Sequence, residues 1–138
     1  MTPPPFGKRD ANSVEDWDFI RKSWRATFLL GGPAVQGAEK QHYFDEMTRV
    51  FAAIVPNSRA LMACDPEDDD NRLGFAVFAG PALHFVYVIQ DFRRMGIAAA
   101  LLDGIGIKQF TFKTIQGERR LKPYDRGWFF APRFTLGT

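Results

Sequence analysis

A basic turn that carries a glycine lies between an apolar stretch and a helical pattern in the second half of the chain. The turn contains Arg93, Arg94 and Gly96, and the small residues Ala98 and Ala99 follow it. A helix that begins here would present backbone N–H groups without intrahelical partners, and such groups attract phosphate. Gly96 would let a ligand approach the backbone closely. The turn therefore predicts an anion-binding site.

The turn needs a strand before it and a helix after it to present its backbone in this way. Residues 85–89 are apolar, aromatic and β-branched, which is typical of a buried strand. Apolar residues then recur every four positions at Ile97, Leu101 and Ile105. This period predicts a short helix over residues 97–106.

The six residues from Arg93 to Ala98, with Met95 in the middle, match the signature R-x-x-G-x-G/A. In this context they resemble the GNAT superfamily of acyl-CoA-dependent N-acyltransferases, and residues 72–78 look like the third strand of that family. The resemblance covers roughly residues 13–115. It implies an α/β (α+β) fold with a mixed, mostly antiparallel sheet of five or six strands. Helices would cover both faces, and the C-terminal part would be truncated.

The family resemblance also implies a binding set for acetyl-CoA that includes Arg93, Arg94, Met95, Gly96, Ala98 and Ala99, and the pyrophosphate would lie over the amides of residues 94–99. A backbone N–H at a bulge near the end of the preceding strand, at about Tyr87 or Val88, would contact the thioester carbonyl. His84 would be the base that deprotonates the amine, and Tyr124 the acid that protonates the thiolate. The expected function is transfer of an acetyl or other acyl group from coenzyme A to an amine.

Both catalytic candidates have a structural alternative. His84 lies nine residues before Arg93, and strand alternation predicts that it shares a face with Val86 and Val88. Imidazole titrates near neutral pH, which suits a base, but a core histidine satisfied by a neighbour would fit the same pattern. Tyr124 could equally be a packing tyrosine. The sequence leaves both questions open.

The N-terminal residues predict an arm followed by one domain. Residues 1–12 are rich in proline and polar side chains, which favours a flexible arm, and residues 13–138 suit a single domain. Ser13 and Asp16 resemble a capping box at the start of a first helix.

Apolar periodicity and turn residues predict the remaining elements. These are helices over 13–29 and 39–55, and strands over 59–64, 72–79, 82–89, 108–115 and 128–130. The acidic stretch 65–71 lacks the ligand spacing of a calcium loop, so we interpret it as a solvated hairpin tip.

The composition is that of a globular protein, with 46% hydrophobic and 25% charged residues in a chain of 138. No apolar run approaches the ~20 residues of a membrane span. The N-terminus lacks the apolar core of a signal peptide, which predicts a cytoplasmic protein with no membrane partner. No Cys/His cluster has metal-ligand spacing, so no metal is expected.

Positive charge is concentrated in the C-terminal part. Residues 1–90 hold nine Lys and Arg against twelve Asp and Glu, whereas residues 91–138 hold nine against four. Such a surface attracts a polyanion, whether coenzyme A or nucleic acid. We do not favour nucleic acid, because the aromatic residues of the basic segment 108–133 are better explained as core.

Two alternatives to an enzyme and several properties of the protein stay open. A non-catalytic GNAT-like module could bind coenzyme A or a partner protein, and a GNAT-like protein could modify nucleic acid. The strand from His84 to Val88 also resembles small GNAT-like proteins encoded by tailed phages. The sequence does not identify the amine acceptor, and it leaves a homodimer open.

Overall fold

Six strands form one sheet in the computed structural model, which describes residues 6–31, 40–93, 96–111 and 127–130. The strands are β1 (Gly7–Asp10), β2 (Arg59–Asp65), β3 (Asp68–Ala79), β4 (Ala82–Val88), β5 (Gln109–Phe110) and β6 (Phe129–Phe130). They lie side by side in chain order. The pairs from β1 to β4 are antiparallel, whereas β4 pairs with β5, and β5 with β6, in parallel. The predicted mixed, mostly antiparallel sheet is confirmed.

Helices cover both faces of this sheet, as predicted. Helices α1 (Val14–Gly31) and α2 (Lys40–Ile54) pack on one face, and α3 (Ile97–Leu102) packs on the other. The core on the α1 and α2 side includes Ile20, Trp24, Phe51, Ile54, Met62, Phe75 and Phe85. The core on the α3 side includes Leu61, Leu73, Leu83, Val88, Ile97, Leu101 and Phe110. None of the described helices has the length and hydropathy that a membrane span requires.

The N-terminal arm is the first prediction that the structure corrects. Residues 7–10 form β1 and pair along their length with β2, and Phe6 is buried in the core on the α3 side. Backbone hydrogen bonds hold β1 to β2 at an edge of the sheet, and such bonds require no apolar pattern in the sequence. The composition of residues 1–12 therefore could not indicate this strand. Residues 1–5 lie outside the described part of the chain.

Two further boundaries differ from the prediction. The acidic residues from Asp68 onward extend β3 instead of forming a long turn. Helix α3 ends at Leu102 and not at residue 106, because Gly104 and Gly106 both have a φ of +81°, which a right-handed helix does not allow. The predicted fifth strand is present as β5, but residues 112–115 lie outside the described residues.

A buried carboxylate joins β1, α1 and β3. Asp16 is fully buried, and its oxygens accept hydrogen bonds from Arg9 at 2.6 and 2.9 Å and from Arg72 at 2.7 Å. The backbone N–H of Asn12 also donates to it. Ser13 Oγ accepts the backbone N–H of Asp16 at 3.1 Å, as in the predicted cap of α1. The hydrogen bonds from Arg9 hold the pKa of the Asp16 carboxyl well below its usual range.

Asp16→Asn should lower the free energy of unfolding by about 3 kcal/mol, because a neutral amide cannot compensate two guanidinium groups. The depressed pKa means that the carboxylate stabilises the fold above the ordinary carboxyl pKa of about 4, and that this stabilisation is lost as the pH falls below it. Urea unfolding should therefore show a large difference between wild type and variant at neutral pH that narrows in acid.

Asp18→Asn is the matched control for this measurement. Asp18 lies on the same helix and pairs with Arg21 at 2.9 Å, but its side chain is half exposed. Its loss should change the free energy of unfolding by less than about 0.5 kcal/mol. If both variants lost the same free energy of unfolding, the buried ion cluster of Asp16 would stabilise the fold no more than the exposed ion pair of Asp18.

Candidate functional site

Strands β4 and β5 pair over a short stretch of the described residues. Their parallel pairing consists of Ala82 with Gln109 and Leu83 with Phe110. The backbone N–H of Thr111 adds one more bond, to the carbonyl of Leu83 at 3.0 Å. Beyond this point, no strand in the described ranges pairs with β4 on this side. The edge of β4 from Val86 to Val88 thus has no partner strand among the described residues, and we call the region beside this edge the fork. Residues 112–126, which follow β5, lie outside the described part of the chain.

Alternate backbone groups of β4 point into the fork. The N–H of Ile89 donates to the carbonyl of Leu73 in β3, and every second residue of an antiparallel strand directs its N–H to the same side. The N–H of Tyr87 therefore also points to β3. The N–H groups of Val86 and Val88 point into the fork. Of the two backbone donors predicted for the thioester, the N–H of Val88 faces the fork and the N–H of Tyr87 faces β3; a role toward a thioester stays a prediction.

The bulge in β4 lies nearer to the start of the strand than predicted. Val77 pairs with Phe85, while the next residue, Phe78, pairs with Leu83, so His84 is the extra residue. The prediction of a bulge near the end of the strand is wrong. One inserted residue reverses the side to which the following groups point. The bulge therefore decides which backbone groups face the fork.

His84 is buried at the root of the fork. Its side chain is 5% exposed, and its Nδ1 lies 2.7 Å from the Oγ1 of Thr111. Leu83 and its partner Phe110 belong to the core on the α3 side, and the described pairing of β4 with β5 ends with them. His84 is the inserted residue of the bulge, where strand alternation does not assign a face. Its predicted location on the same face as Val86 and Val88 stays a prediction. Burial also lowers the pKa of the imidazole, which favours the neutral ring.

The basic turn begins where β4 ends. It passes through Arg93 and reaches Gly96, which caps α3 with a left-handed φ of +79°. A Cβ atom at Gly96 would meet no other atom within 4 Å. The first helical hydrogen bond of α3 is donated by Ala100 to Gly96, so the N–H groups of Ala98 and Ala99 precede the helical ladder. The predicted anion site needs such a glycine beside N–H groups that precede the helical ladder, and the site itself stays a prediction.

Arg93 ties this turn to the end of β4. Its Nε donates a hydrogen bond to the carbonyl of Val88 at 2.8 Å, on the side of the strand that faces the fork. Its guanidinium carbon lies 5.7 Å from the centre of the Tyr87 ring, and that ring packs against Phe19 of α1. No carboxylate of the described residues forms an ion pair with Arg93. Its positive charge therefore lies at the mouth of the fork.

Several predicted features lie outside the described residues. They are Arg94 and Met95 of the turn, Tyr124, and the segment 32–39 between α1 and α2. The structure thus describes part of the predicted binding loop and does not locate the predicted acid. Within the described ranges, no three His, Cys, Asp or Glu side chains are grouped so that they could hold a metal ion.

The sequence matches no family model and no curated protein. Solved structures are similar in fold. A proposed acetyl transferase from Pyrococcus furiosus aligns with a TM-score of 0.56 and 14% identity over 93% of this chain and 81% of that chain. A GCN5-related N-acetyltransferase from Rhodopseudomonas palustris, also described as a class-II aminotransferase, aligns with a TM-score of 0.50 and 22% identity over 75% of this chain and 64% of that chain. This chain has the GNAT fold. A transcriptional regulator from Bacillus halodurans C-125 is also similar, with a TM-score of 0.53 and 13% identity over 88% of this chain and 90% of that chain.

One residue that shapes the GNAT fold at the fork was not predicted. Gly74 of β3 lies opposite Val88, and a Cβ atom there would lie 2.5 Å from the carbonyl oxygen of Tyr87 and 3.2 Å from the Cα of Val88. The end of β4 can approach β3 so closely because this position has no side chain. An isolated glycine inside a strand pattern is the signal that could have identified it.

Gly74→Ala should lower the free energy of unfolding by about 1–3 kcal/mol, because the added methyl group displaces backbone that cannot easily move. Gly7→Ala is the control. Gly7 also lies in a strand, but a Cβ atom there would make only an ordinary contact, 3.8 Å from the carbonyl of Cys64. Urea unfolding should show little change for Gly7→Ala. A loss as large as that of Gly74→Ala would mean that the close approach is not the cause.

Proposed function

We propose that this protein is a GNAT-superfamily N-acyltransferase that moves an acetyl group from acetyl-CoA to an amine. The observation that carries the proposal is the fork, because the edge of β4 that has no partner strand among the described residues leads toward the glycine turn. Two structures of the same fold are described as acetyl transferases, one of them as proposed. A shared fold does not by itself fix an activity, so the residues of the site must support it.

The residues at the fork suit the successive groups of acetyl-CoA. The pyrophosphate would lie against the turn, where Gly96 leaves the backbone open and Arg93 supplies positive charge. The pantetheine arm would run along the open edge of β4. The N–H groups of Val86 and Val88 would then donate to its carbonyl groups or to the thioester. The proposed binding set is completed by Arg94, Met95, Ala98 and Ala99, whereas the N–H of Tyr87 points to β3 and is left out of the set.

Acyl transfer places defined demands on this site. The amine nitrogen forms a bond with the thioester carbonyl carbon, the C–S bond breaks, the amine loses a proton and the thiolate gains one. Negative charge develops on the carbonyl oxygen, and N–H groups that point into the fork would stabilise it. For the two proton transfers the chain offers His84 as base and Tyr124 as acid. Both roles stay predictions.

The second candidate function is a binding module without catalysis. The similar transcriptional regulator has the same fold and a different description. In addition, the contact between His84 and Thr111 occupies one ring nitrogen of the predicted base. Such a module would bind acetyl-CoA but release no free thiol when amines are added, whereas an acyltransferase would release thiol. Measuring thiol release separates the two functions.

Gly96→Asp should abolish acetyl-CoA binding in a calorimetric titration, because it places a carboxylate where the phosphate charge must lie. Arg93→Ala should only weaken binding, by roughly tenfold or about 1.4 kcal/mol, since it removes one charged contact and leaves the amides in place.

Gly80→Asp controls for the strain and charge of the first variant. Gly80 also has a left-handed φ, of +54°, and open space around it, but it lies at the opposite end of β4. The Gly80→Asp variant should bind acetyl-CoA with the affinity of the wild type. Equal affinity in wild type and Gly96→Asp would place the ligand elsewhere.

If duplex DNA raised the melting temperature of the protein more than acetyl-CoA did, and this increase vanished at high salt, the nucleic-acid alternative would be favoured instead.

A further inference from the structure

The aromatic ring of Tyr87 lies near the end of β4, on the side of the sheet that α1 and α2 cover. Phe75 of β3 pairs with Tyr87, and the centres of their rings are 5.7 Å apart. Phe19 of α1 contacts both rings edge-on, at 6.3 Å from Tyr87 and 5.8 Å from Phe75. Aromatic rings that pack at such distances hold one another in place. The Tyr87 ring is therefore fixed by the neighbouring strand and by α1.

Arg93 reaches back to this ring from the turn. A single 3₁₀ turn over Gln90–Phe92 carries the chain from β4 to Arg93, whose Nε donates to the carbonyl of Val88 at 2.8 Å. The guanidinium carbon lies over the Tyr87 ring at 5.7 Å from its centre, within the range of a cation–π contact. The half-buried side chain of Arg93 is thus held at two points, by a hydrogen bond and by a ring.

These two contacts use only part of the guanidinium group. Among the described residues, Nε is the only atom of the Arg93 side chain with a hydrogen-bond partner, and no carboxylate forms an ion pair with it. The remaining N–H groups form a planar fork that matches two oxygens of a phosphate. A mobile arginine loses rotamer freedom when it binds an anion, and this loss lowers affinity. An arginine that is already held loses less.

We infer that Tyr87 is a positioning residue, whose ring orders the guanidinium group of Arg93 for contact with a phosphate. The inference rests on the proposed function in that the phosphate would belong to acetyl-CoA. The backbone N–H of Tyr87 points to β3, so this role belongs to the side chain alone. Phe19 supports the ring from α1, and α1 thereby stabilises the position of a charged group that lies beyond the end of β4.

A second pair of an arginine and a ring provides a matched control. Arg59 lies over the Phe78 ring at 5.6 Å from its centre, which is nearly the same distance. This pair lies near Gly80, at the end of the sheet opposite to the glycine turn, and Arg59 already has an anionic partner in Asp10 at 2.8 Å. Phe78→Leu therefore removes a buried ring beneath an arginine at a place that the proposed ligand does not contact.

The first experiment observes Arg93 by NMR and needs no ligand. The Nε–H of Arg93 should exchange slowly with water in the wild type, because it is bonded to the carbonyl of Val88. Tyr87→Phe keeps the ring and should preserve this protection. Tyr87→Leu should make the exchange about threefold faster, the factor expected from loss of a partly exposed cation–π contact. Equal exchange rates in wild type and Tyr87→Leu would overturn the inference.

The second experiment measures acetyl-CoA binding by calorimetry, at a temperature where circular dichroism shows each variant folded. Tyr87→Leu should weaken binding about threefold, because the ligand itself must then order Arg93. Tyr87→Phe and Phe78→Leu should both bind with nearly the affinity of the wild type. In an Arg93→Ala background, Tyr87→Leu should have no further effect, since the group that the ring orders is absent. Should Tyr87→Leu fail to fold, Phe19→Leu loosens the same ring from α1 and should change affinity in the same direction.

Three results in this experiment would contradict a positioning role. An equal loss of affinity in Tyr87→Phe and Tyr87→Leu would assign the effect to the hydroxyl group. A loss that persists in the Arg93→Ala background would mean that the ring acts without the arginine. An equal loss in Phe78→Leu would mean that weaker packing alone lowers affinity. If the wild type has no affinity for acetyl-CoA, the proposed function fails, whereas the exchange rate of the Arg93 Nε–H still decides whether Tyr87 orders this side chain.

Discussion

The pairing of β4 with its neighbours is the constraint on which the rest of the site depends. Antiparallel pairing with β3 runs from Ala82 to Val88, whereas parallel pairing with β5 covers only Ala82 and Leu83 among the described residues. The edge of β4 from Val86 to Val88 therefore has no partner strand in the described ranges. Backbone N–H and C=O groups that are buried need partners, because leaving them unpaired and out of water is costly. The direction in which these groups point follows from the pairing of β4 with β3.

The bulge at His84 determines how that edge is presented. One extra residue shifts the strand by half a period. After the bulge, backbone groups of β4 that would have faced β3 therefore face the fork, and groups that would have faced the fork face β3. Phe85 consequently packs in the core with α1 and α2, while Leu83 packs in the core with α3. One inserted residue therefore sets both the packing of β4 and the direction of its free backbone groups. Gly74 maintains this arrangement further along, where it lets β3 approach the end of β4.

The sequence could predict the elements whose boundaries are marked by local chemistry. The cap of α1 at Ser13 and the glycine turn before α3 are such cases, since each depends on residues close together in the chain. The pairing that forms β1 and the ion cluster that joins Asp16 to Arg72 depend on residues far apart, and no local pattern reports them. The bulge was missed for another reason. Both faces of β4 are buried, so its sequence has no alternation that an inserted residue could interrupt.

The polar groups along the fork suit a ligand that carries amides. Val86 offers both its N–H and its carbonyl, and Val88 offers its N–H, whereas the carbonyl of Val88 is already bonded to Arg93. Donors and an acceptor at strand spacing match an extended chain of amide groups better than an apolar one. The edge then leads to the positively charged Arg93 and the open backbone at Gly96, which suit an anion at one end of the same ligand. Acetyl-CoA combines these features, an amide-bearing arm attached to phosphates, in the order in which the proposed site would meet them.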